Sequence, residues 1–356
     1  MSLFKHHEFW NPRIFELPLY IYLFYLCLRH RIRPTSLAKA NSALDHGEIG
    51  IGSKFHTQQQ FSQELFLPTI LLDFGEGALG EMARRERLDA NLELITSFVS
   101  EHGFPVIFKP DIGMVGKGIL KVDSEVELKQ RMAELYGDYL LQAFTPLPAE
   151  FGVFYTRYKG RSRISGINRK HFPTVVGNGT DSIATLARQH ERYTHHWDTF
   201  LQYIDQSKIL PRGESKRLSF IGSHTMGCKF TDDSHLTSPA LEKAIFEMLD
   251  KQEGFNFGRL DVKTKDELAL KNGDFTIIEI NGVSSLPTHM FDPGYSLLRC
   301  YRIFLAHGRY LVKIAKENSH KTMHLLPLAQ VLKRVRINQS KLDKIHDALK
   351  ENSRTT

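Results

Sequence analysis

The seven residues FTIIEIN, which end at Asn281, constrain the fold most, because an apolar run that closes on polar residues is typical of a buried strand. Side chains alternate between the two faces of a strand, so Glu279 and Asn281 should share one face. The earlier segment FGRLDV repeats this pattern with Arg259 and Asp261. If the two strands pair, three oxygen-bearing side chains and one guanidinium converge, which suits Mg²⁺ and the phosphates of a nucleotide.

Composition sets only broad limits on the function. The 356 residues are enough for two or three subdomains, and a hydrophobic content of 41% is ordinary for a folded protein. The net charge of +7 favours anionic partners, but the basic residues lack the aromatic interleaving of a nucleic-acid recognition module, which disfavours nucleic acid. Cys27, Cys228 and Cys300 have no metal-binding spacing and indicate reduced thiols of a cytoplasmic protein.

The N-terminal region contains an apolar and aromatic stretch, residues 17–28, followed at once by His30, Arg31 and Arg33. The stretch is shorter than the roughly 20 apolar residues that a spanning helix needs. Its basic cluster lies on the wrong side for a signal peptide, and no small-residue cleavage site follows. Two interpretations stay open: an interfacial anchor at the inner face of the cytoplasmic membrane, or a helix that packs in the core or in a homodimer.

A second candidate site follows a short apolar strand that ends near Lys109. Beyond it, Gly113, Gly116 and Gly118 recur in a loop that also contains Lys117. Glycines let backbone amides approach an oxyanion closely, and a lysine at a strand end supplies a point charge for a phosphate. The alternative interpretation is a tight turn with a solvated lysine.

Several polar residues farther along the chain are candidates for substrate contact. A hairpin over residues 150–171 is rich in cations, some of which we expect to be solvated edge charges. Near its end, Arg169, Lys170 and His171 are the ones that we expect to touch anions. The loop residues His224, Thr288 and His289 complete the set.

The order of these motifs resembles the ATP-grasp family. A strand ending in a lysine, a glycine-rich loop, a capped helix, a strand followed by a glutamate, and finally Arg-x-Asp and Glu-x-Asn occur in that order between about residues 54 and 294. The chain is most similar to carboxylate–amine ligases such as D-alanine–D-alanine ligase, and its turn at residues 175–183 is similar to one in cyanophycin synthetases. The resemblance implies an α+β, ATP-grasp fold in which two antiparallel-sheet subdomains with helices clamp a nucleotide.

The resemblance also implies roles for individual residues. ATP would contact Lys54, Lys109, Gly113, Gly116, Lys117, Gly118, Gln142, Ala143, Phe144 and Glu150. Mg²⁺, or Mn²⁺ in its place, would bind Asp261, Glu279 and Asn281, and the catalytic residues would be Arg259 and Lys109.

Three departures from the family pattern are visible. Gln142 stands where many members have Glu, and Lys54 matches the family's first lysine only by its helix position and its distance to the next strand. The segment before the grasp core is also short, so the full substrate domain of D-alanine–D-alanine ligase is expected to be absent.

These features predict five regions. They are an apolar and basic N-terminal segment (1–47), a short pre-grasp region (48–103), a nucleotide-lid subdomain (104–158), a metal and catalytic subdomain (159–318) and a basic C-terminal tail (319–356). Residues 44–52 are predicted to be a linker, and the tail is predicted to hold one marginal helix with a disordered end.

The predicted function is an ATP- and Mg²⁺-dependent ligase that joins a small-molecule carboxylate to an amine through an acylphosphate. One alternative keeps the fold but stops at phosphorylation, as a kinase acting on a small molecule. The other is non-enzymatic: a basic protein of membrane surfaces or nucleic acid.

Overall fold

A computed structural model describes residues 9–49, 52–75, 81–113, 116–132, 135, 137–194 and 204–355. The chain divides into two compact units. Unit 1 comprises Met1–Leu67, Thr145–Arg169 and Phe230–Arg336, and unit 2 comprises Pro68–Phe144, Lys170–Lys229 and Ile337–Thr356.

Strands and helices are interspersed along the chain. The strands are β1 (Thr69–Asp73), β2 (Val106–Pro110), β3 (Leu120–Val122), β4 (Asp138–Ala143), β5 (Ala149–Tyr158), β6 (Arg161–His171), β7 (Thr174–Val176), β8 (Ser215–Arg217), β9 (Lys229–Asp232), β10 (Phe257–Thr264) and β11 (Thr276–Asn281). The α-helices are α1 (Pro12–His30), α2 (Lys54–Gln59), α3 (Glu81–His102), α4 (Glu125–Met132), α5 (Ile183–Arg188), α6 (Glu191–Thr194), α7 (Pro239–Leu249), α8 (Glu267–Lys271), α9 (Leu297–Glu317) and α10 (Leu328–Thr355).

Unit 1 is built on a five-stranded sheet in the order β11-β10-β5-β6-β9, and β10 pairs antiparallel with both β5 and β11. Strand alternation gives this sheet two different faces. One face buries apolar side chains such as Val153 and Leu260 against the apolar stripe of α7, which includes Leu241 and Ile245. The opposite face carries the polar residues of β10 and β11, so the core on the first face holds those residues in place.

Unit 2 contains a four-stranded antiparallel sheet in the order β1-β4-β2-β3. Its core packs strand residues such as Leu72 and Phe108 against Ile95 of α3 and Leu128 of α4. The start of α4 is a capping box, because Ser124 Oγ accepts from the Glu127 amide at 3.3 Å and the Glu127 carboxylate accepts from the Asp123 amide at 3.0 Å. A separate antiparallel pair, β7 with β8, packs on α5.

The α+β class with two antiparallel sheets is confirmed, but the units are divided differently from the predicted regions. The predicted boundary between residues 158 and 159 falls at the turn of the β5–β6 hairpin, whose strands are neighbours in one sheet. Strand β1, assigned to the pre-grasp region, pairs with β4. Sheet pairing brings together segments that are distant in the chain, so boundaries drawn in chain order miss it.

The described part of the predicted linker, residues 44–52, is packed on unit 1; Gly50 and Ile51 lie outside the described residues. Leu44 is buried in the core of unit 1, and the amide of Val283 donates to the Gly47 carbonyl at 3.1 Å. Gly47 has φ 62°, and a Cβ there would lie 2.4 Å from the Ala38 carbonyl oxygen. The segment is therefore packed on unit 1 by hydrogen bonds and by a turn that favours glycine.

The described segments near the two ends of the chain are helical. The C-terminal region holds the predicted helix, α10, on which Val331, Leu342 and Ile345 are buried at helical spacing. It runs to Thr355, where the sequence predicted a disordered end. At the other end, residues 17–28 lie within α1. One face of α1 packs in unit 1, as the core interpretation predicts, while its other face is exposed.

Candidate functional site

The polar residues of β10 and β11 in unit 1 lie side by side on one face of the sheet. Asp261 is directly opposite Glu279, and Arg259 is directly opposite Asn281. Directly opposed residues of an antiparallel pair point to the same face, so the sequence prediction of a shared face is confirmed. The register shifts just after Asp261, and this β-bulge adds a residue to β11 before Glu279.

Asp261 is held by a two-point contact with the neighbouring guanidinium. Arg259 Nε donates to Asp261 Oδ1 at 2.7 Å, and Arg259 Nη2 donates to Asp261 Oδ2 at 3.1 Å. Asp261 is only 4% exposed, and the charge of a carboxylate this deeply buried needs such compensation. The pair brings one of the predicted metal ligands together with the predicted catalytic arginine.

Glu279 is paired with a lysine from the first turn of α2. Lys54 Nζ lies 2.5 Å from Glu279 Oε1. Ser53 fixes the start of this helix, because its hydroxyl accepts from the His56 amide at 3.0 Å. The two residues lie near opposite ends of the stretch that resembles the ATP-grasp family, and their side chains meet on unit 1.

The N-terminal part of unit 1 supplies two residues that contact the ends of β10 and β11 and that the sequence motifs did not reveal. The buried Glu48 carboxylate accepts from the amide of Gly282, the residue after Asn281, and burial raises the pKa of Glu48 to about 7. Asn41 is fully buried, and its side chain contacts the backbone of Phe257 at the start of β10. The two contacts brace one end of each of the two strands. Neither residue lies in a recognisable motif, so only the fold reveals them.

Asn168 on β6 is another neighbour absent from the sequence predictions. A Cβ at Gly152 would lie 2.2 Å from Asn168 Oδ1 and 2.9 Å from Arg259 Cδ, so the glycine leaves the space that both side chains fill. Thr288, a predicted substrate residue, donates its hydroxyl to Asn168 Oδ1 at 2.6 Å. Among the described residues, the Asn168 and Asn281 Nδ2 atoms are buried without a hydrogen-bond partner.

His289, the other loop residue predicted to contact substrate in this unit, is buried with 7% exposure. Its ring lies over Gly166, where an added Cβ would come within 2.1 Å of the His289 Cε1 atom. Burial lowers the pKa of His289, while the nearby Asp232 carboxylate opposes that shift. The imidazole is therefore held neutral at pH 7, as a hydrogen-bonding group rather than a cation.

Glu150, which is predicted to contact the ribose, is the second residue of β5. It is 3% exposed, lies opposite Lys263 in the register, and has its Oε2 atom 3.8 Å from Lys263 Nζ. Glu150 therefore shares the sheet face of Asp261, and its contact with a ribose stays a prediction.

In unit 2, the structure brings the predicted phosphate lysine and the predicted hinge together. Lys109 Nζ donates to Gln142 Oε1 at 3.2 Å across the β2–β4 pair, and both side chains are buried. Gln142 Nε2 in turn donates to Thr69 Oγ1 on β1 at 3.0 Å. A glutamine can accept from the lysine and donate to the threonine at once, which a glutamate at this position could not do. Ala143 and Phe144 follow Gln142 at the end of β4, and Lys121 Nζ lies 5.2 Å from the centre of the Phe144 ring.

The glycine-rich loop packs within unit 2, although Met114 and Val115 at its centre lie outside the described residues. Gly116 and Gly118 have φ values of 79° and 74°, which favour glycine. A Cβ at Gly116 would lie 2.4 Å from Ile221 Cγ2, so the loop packs against the segment that contains His224.

The remaining predicted residues of unit 2 have different environments. Lys117 pairs with Asp343 on α10, a contact that the predicted disordered tail did not anticipate. Lys170 is buried and His171 half-buried at the end of β6, and His224 is half-buried in a short 3₁₀ turn.

The donor set of unit 1 fits a hard divalent cation. Within the described ranges, no three His, Cys, Asp or Glu side chains form a metal-binding group. The set is instead two opposed carboxylates, Asp261 and Glu279, and the side-chain amide oxygen of Asn281, which lies opposite Arg259 on the same face. Mg²⁺ usually takes one or two protein carboxylates and completes its shell with water and phosphate oxygens, so this small oxygen set suits it.

No protein-family model matches the chain, and no curated protein is significantly similar to it. The chain is similar to several solved structures, with low TM-scores. D-alanine–D-alanine ligase from Bacillus anthracis is 13% identical, with a TM-score of 0.40 over 76% of this chain and 70% of that one. The same enzyme from Helicobacter pylori is 15% identical, with a TM-score of 0.37 over 75% of this chain and 60% of that one.

A bifunctional glutathione synthetase from Pasteurella multocida is 14% identical, with a TM-score of 0.36 over 70% of this chain and 35% of that one. The chain therefore spans about a third to two thirds of the length of these proteins. D-alanine–D-alanine ligase is also the enzyme type that the sequence resembles, but TM-scores this low carry no inference about function.

Proposed function

We propose that this chain is an ATP-grasp enzyme, an ATP- and Mg²⁺-dependent ligase that joins a small-molecule carboxylate to an amine through an acylphosphate. The observation that carries the proposal is the arrangement on one sheet face of unit 1. There Asp261 and Glu279 are directly opposed, Asn281 is adjacent, and each carboxylate is neutralised by its own cation, Arg259 or Lys54.

Asp261, Glu279 and the amide oxygen of Asn281 would hold Mg²⁺, or Mn²⁺ as a substitute. A divalent cation at this position would neutralise charge on the phosphates of ATP during transfer. The ion would also compensate the charge of Glu279, so Lys54 would then turn its ammonium toward a phosphate. Because Arg259 contacts Asp261 from the same strand, its guanidinium would stay close to the reacting groups.

The residues of unit 2 support the nucleotide part of the proposal. Lys109 is a buried ammonium at a strand end, and the described part of the adjacent loop holds the glycines Gly116 and Gly118 in conformations that favour glycine. We propose that Lys109 and the loop, with Lys117, contact phosphates. We further propose that the end of β4, from Gln142 to Phe144, contacts adenine and that Glu150 accepts from the ribose hydroxyls.

The proposed reaction has two balanced steps. An oxygen of the substrate carboxylate attacks the γ-phosphorus, and the bond to the β–γ bridging oxygen breaks with its electron pair leaving on ADP. The amine nitrogen then attacks the acyl carbon, loses a proton, and expels inorganic phosphate. Arg259 would stabilise the negative charge of the transferred phosphoryl group and of the tetrahedral oxyanion.

We assign the substrate contacts to five polar residues, two in unit 1 and three in unit 2. Thr288 and the neutral His289 in unit 1 would donate hydrogen bonds to the substrate, and Lys170, His171 and His224 in unit 2 would attract its carboxylate. The proposed setting is the cytoplasm, where ATP and free Mg²⁺ are available.

The test is a substrate panel of amino acids, other small acids and amines, read by ADP release and by product mass. A ligase yields a condensed product and free phosphate, whereas a kinase yields a phosphorylated acceptor and no free phosphate. Glu279→Gln should abolish both the release of ADP and the formation of the product. The control variant Glu267→Ala, which removes a surface partner of Arg169, should retain them. Substrate-dependent ADP release that survives Glu279→Gln would overturn the proposed site.

A further inference from the structure

Helix α1 is attached to unit 1 along one face. Phe15 stacks on Phe304 and Tyr301 of α9 at centroid distances of 5.7 and 5.3 Å, and the Tyr301 hydroxyl donates to the Phe15 carbonyl at 3.0 Å. Gly308 on α9 lets α1 pack closely against α9, because a Cβ at Gly308 would lie 2.7 Å from Leu19 Cδ1. The orientation of α1 on unit 1 is therefore defined by packing.

The opposite face of α1 is apolar and exposed. Its large side chains, each 51–64% exposed, recur every three or four residues along the whole helix. They are Ile14, Leu17, Tyr20, Ile21, Phe24, Tyr25 and Leu28. Single exposed apolar residues are normal on a protein surface, but a continuous stripe of this length marks an interaction surface. We call these seven side chains the α1 stripe.

Cations flank the α1 stripe at both ends. Arg13 precedes it, and Arg29, Arg31 and Arg33 follow it, all exposed. The only acidic residue in the sequence of α1 is Glu16, whose carboxylate accepts from the Tyr20 hydroxyl at 2.6 Å. Burial raises the pKa of Glu16, and the hydrogen bond from Tyr20 opposes that shift.

This charge pattern discriminates between two occupants. A second copy of the chain would bring arginines against arginines in either orientation, with no unengaged acid on α1 to pair with them. An anionic lipid surface offers an apolar layer for the stripe and phosphates for the arginines at its ends. Tyr20 and Tyr25, apolar rings with polar tips, also suit the boundary between lipid tails and headgroups.

No helix in the described part of the chain combines the length and apolar character that crossing a bilayer requires. We propose that the α1 stripe inserts into one leaflet of an anionic membrane, so that α1 lies in the membrane plane and its flanking arginines contact lipid phosphates. This inference is independent of the ligase reaction, since it uses only α1, its packing on α9 and its charges.

The test is flotation of the full chain with vesicles of phosphatidylcholine alone or mixed with phosphatidylglycerol. The protein should float with the mixed vesicles. The double variant Phe24→Ser/Leu28→Ser should reduce partitioning about tenfold or more, because it removes two exposed apolar side chains. Arg29→Gln and Arg33→Gln should each cost about fivefold on the mixed vesicles and reduce the salt dependence of binding.

A matched control is Leu268→Ser, which removes a leucine of similar exposure, 66%, from the short helix α8. It should float as the wild type does, and circular dichroism should show that every variant retains its helix content. Two results would overturn the proposal: absence of flotation with anionic vesicles, or flotation unchanged by Phe24→Ser/Leu28→Ser. A concentration-dependent dimer that this double variant breaks, without flotation, would assign the α1 stripe to a second copy instead.

Discussion

Lys54 Nζ lies 2.5 Å from Glu279 Oε1, so a lysine at the start of a short helix neutralises a carboxylate on β11 that is 225 residues farther along the chain (279 − 54). Both side chains are mostly buried, with 17% and 25% exposure. Burial is the main cause that raises the pKa of Glu48; the Lys54 ammonium opposes this shift and the Glu279 carboxylate adds to it, so Glu48 interacts with both charges. The ion pair therefore holds together the acidic centre of the proposed site.

The first prediction concerns the strength of this ion pair. Lys54→Met should lower the free energy of unfolding by about 1–3 kcal/mol, because it leaves a partly buried carboxylate without its ammonium. Lys54→Met combined with Glu279→Gln should cost less than the sum of the single changes, with a coupling of about 1 kcal/mol or more. Urea denaturation of the four proteins at pH 7 measures this coupling.

A second cycle on the more exposed pair Lys121–Asp123 provides the comparison. Water screens exposed pairs, so Lys121→Met with Asp123→Asn should show a coupling of less than about 0.5 kcal/mol. Equal coupling in the two cycles would mean that Lys54 and Glu279 do not form a specific buried contact.

The second prediction concerns the packed turn at Gly47. Gly160, with φ 69°, has no other atoms within 4 Å of an added Cβ, so Gly160→Ala should cost about 1 kcal/mol, the strain of a positive φ alone. Gly47 has a similar φ of 62°, but an added Cβ would lie 2.4 Å from the Ala38 carbonyl oxygen. Gly47→Ala should therefore cost about 3 kcal/mol or more in chemical denaturation. Equal costs would show that the turn around Gly47 is loosely packed, as the linker prediction implies.

The third prediction concerns acid stability. His307 packs against the rings of Phe154 and Phe257 at 4.7 and 4.6 Å, and burial lowers the pKa of His307 from 6.5 to about 3. Between pH 6.5 and about pH 3, His307 is protonated in the unfolded chain but neutral in the folded chain. This histidine therefore makes the free energy of unfolding fall as the pH drops below 6.5. Above pH 6.5 it has no such effect.

His307→Phe keeps the ring packing and removes the titration. Between pH 7 and pH 4, this variant should lose about 1–2 kcal/mol less free energy of unfolding than the wild type does. The difference is smaller than the full pKa shift would give, because the His307 ring keeps some exposure to solvent. Urea denaturation across this pH range checks the difference. Identical pH slopes would show that His307 is already solvated in the folded state.

The fourth prediction concerns the glycine-rich loop. Asp343 pairs with Lys117, so on the proposed function it competes with phosphate for that ammonium. Asp343→Asn should tighten Mg²⁺-ATP binding about two- to fivefold, the range of a solvent-exposed ion pair. Glu125→Gln, which releases the exposed Lys129 on α4 in the same way, should leave the affinity unchanged. Weaker binding by Asp343→Asn would assign Asp343 a supporting role instead.

Strand alternation was sufficient to predict the centre of the site from the sequence. It placed Arg259 with Asp261 and Glu279 with Asn281 on one face, and the antiparallel register confirms this. The capping residues Ser53 and Ser124 were also predictable, because a cap depends only on residues three positions away.

What could not be predicted depends on contacts between distant parts of the chain. The hydrogen bond from the Gly282 amide to Glu48 joins residues 234 positions apart, and Glu48 itself has an unusual φ of 61°. Strand alternation alone also cannot reveal the bulge after Asp261, which adds a residue to β11. The polar C-terminal sequence did not reveal the length of α10, because its buried positions are sparse and can be recognised only once the fold supplies their partners, such as Leu326 for Val331.

The last prediction tests the proposed metal and nucleotide site most directly. Isothermal titration calorimetry with ATP, with Mg²⁺ and with EDTA in its place, should show binding that requires the metal. Glu279→Ala should weaken Mg²⁺-ATP binding about 100-fold, since it removes one of two carboxylates that would hold the ion, whereas Glu267→Ala should bind as the wild type does. Wild-type affinity in Glu279→Ala, or equal binding with and without Mg²⁺, would contradict the proposed site.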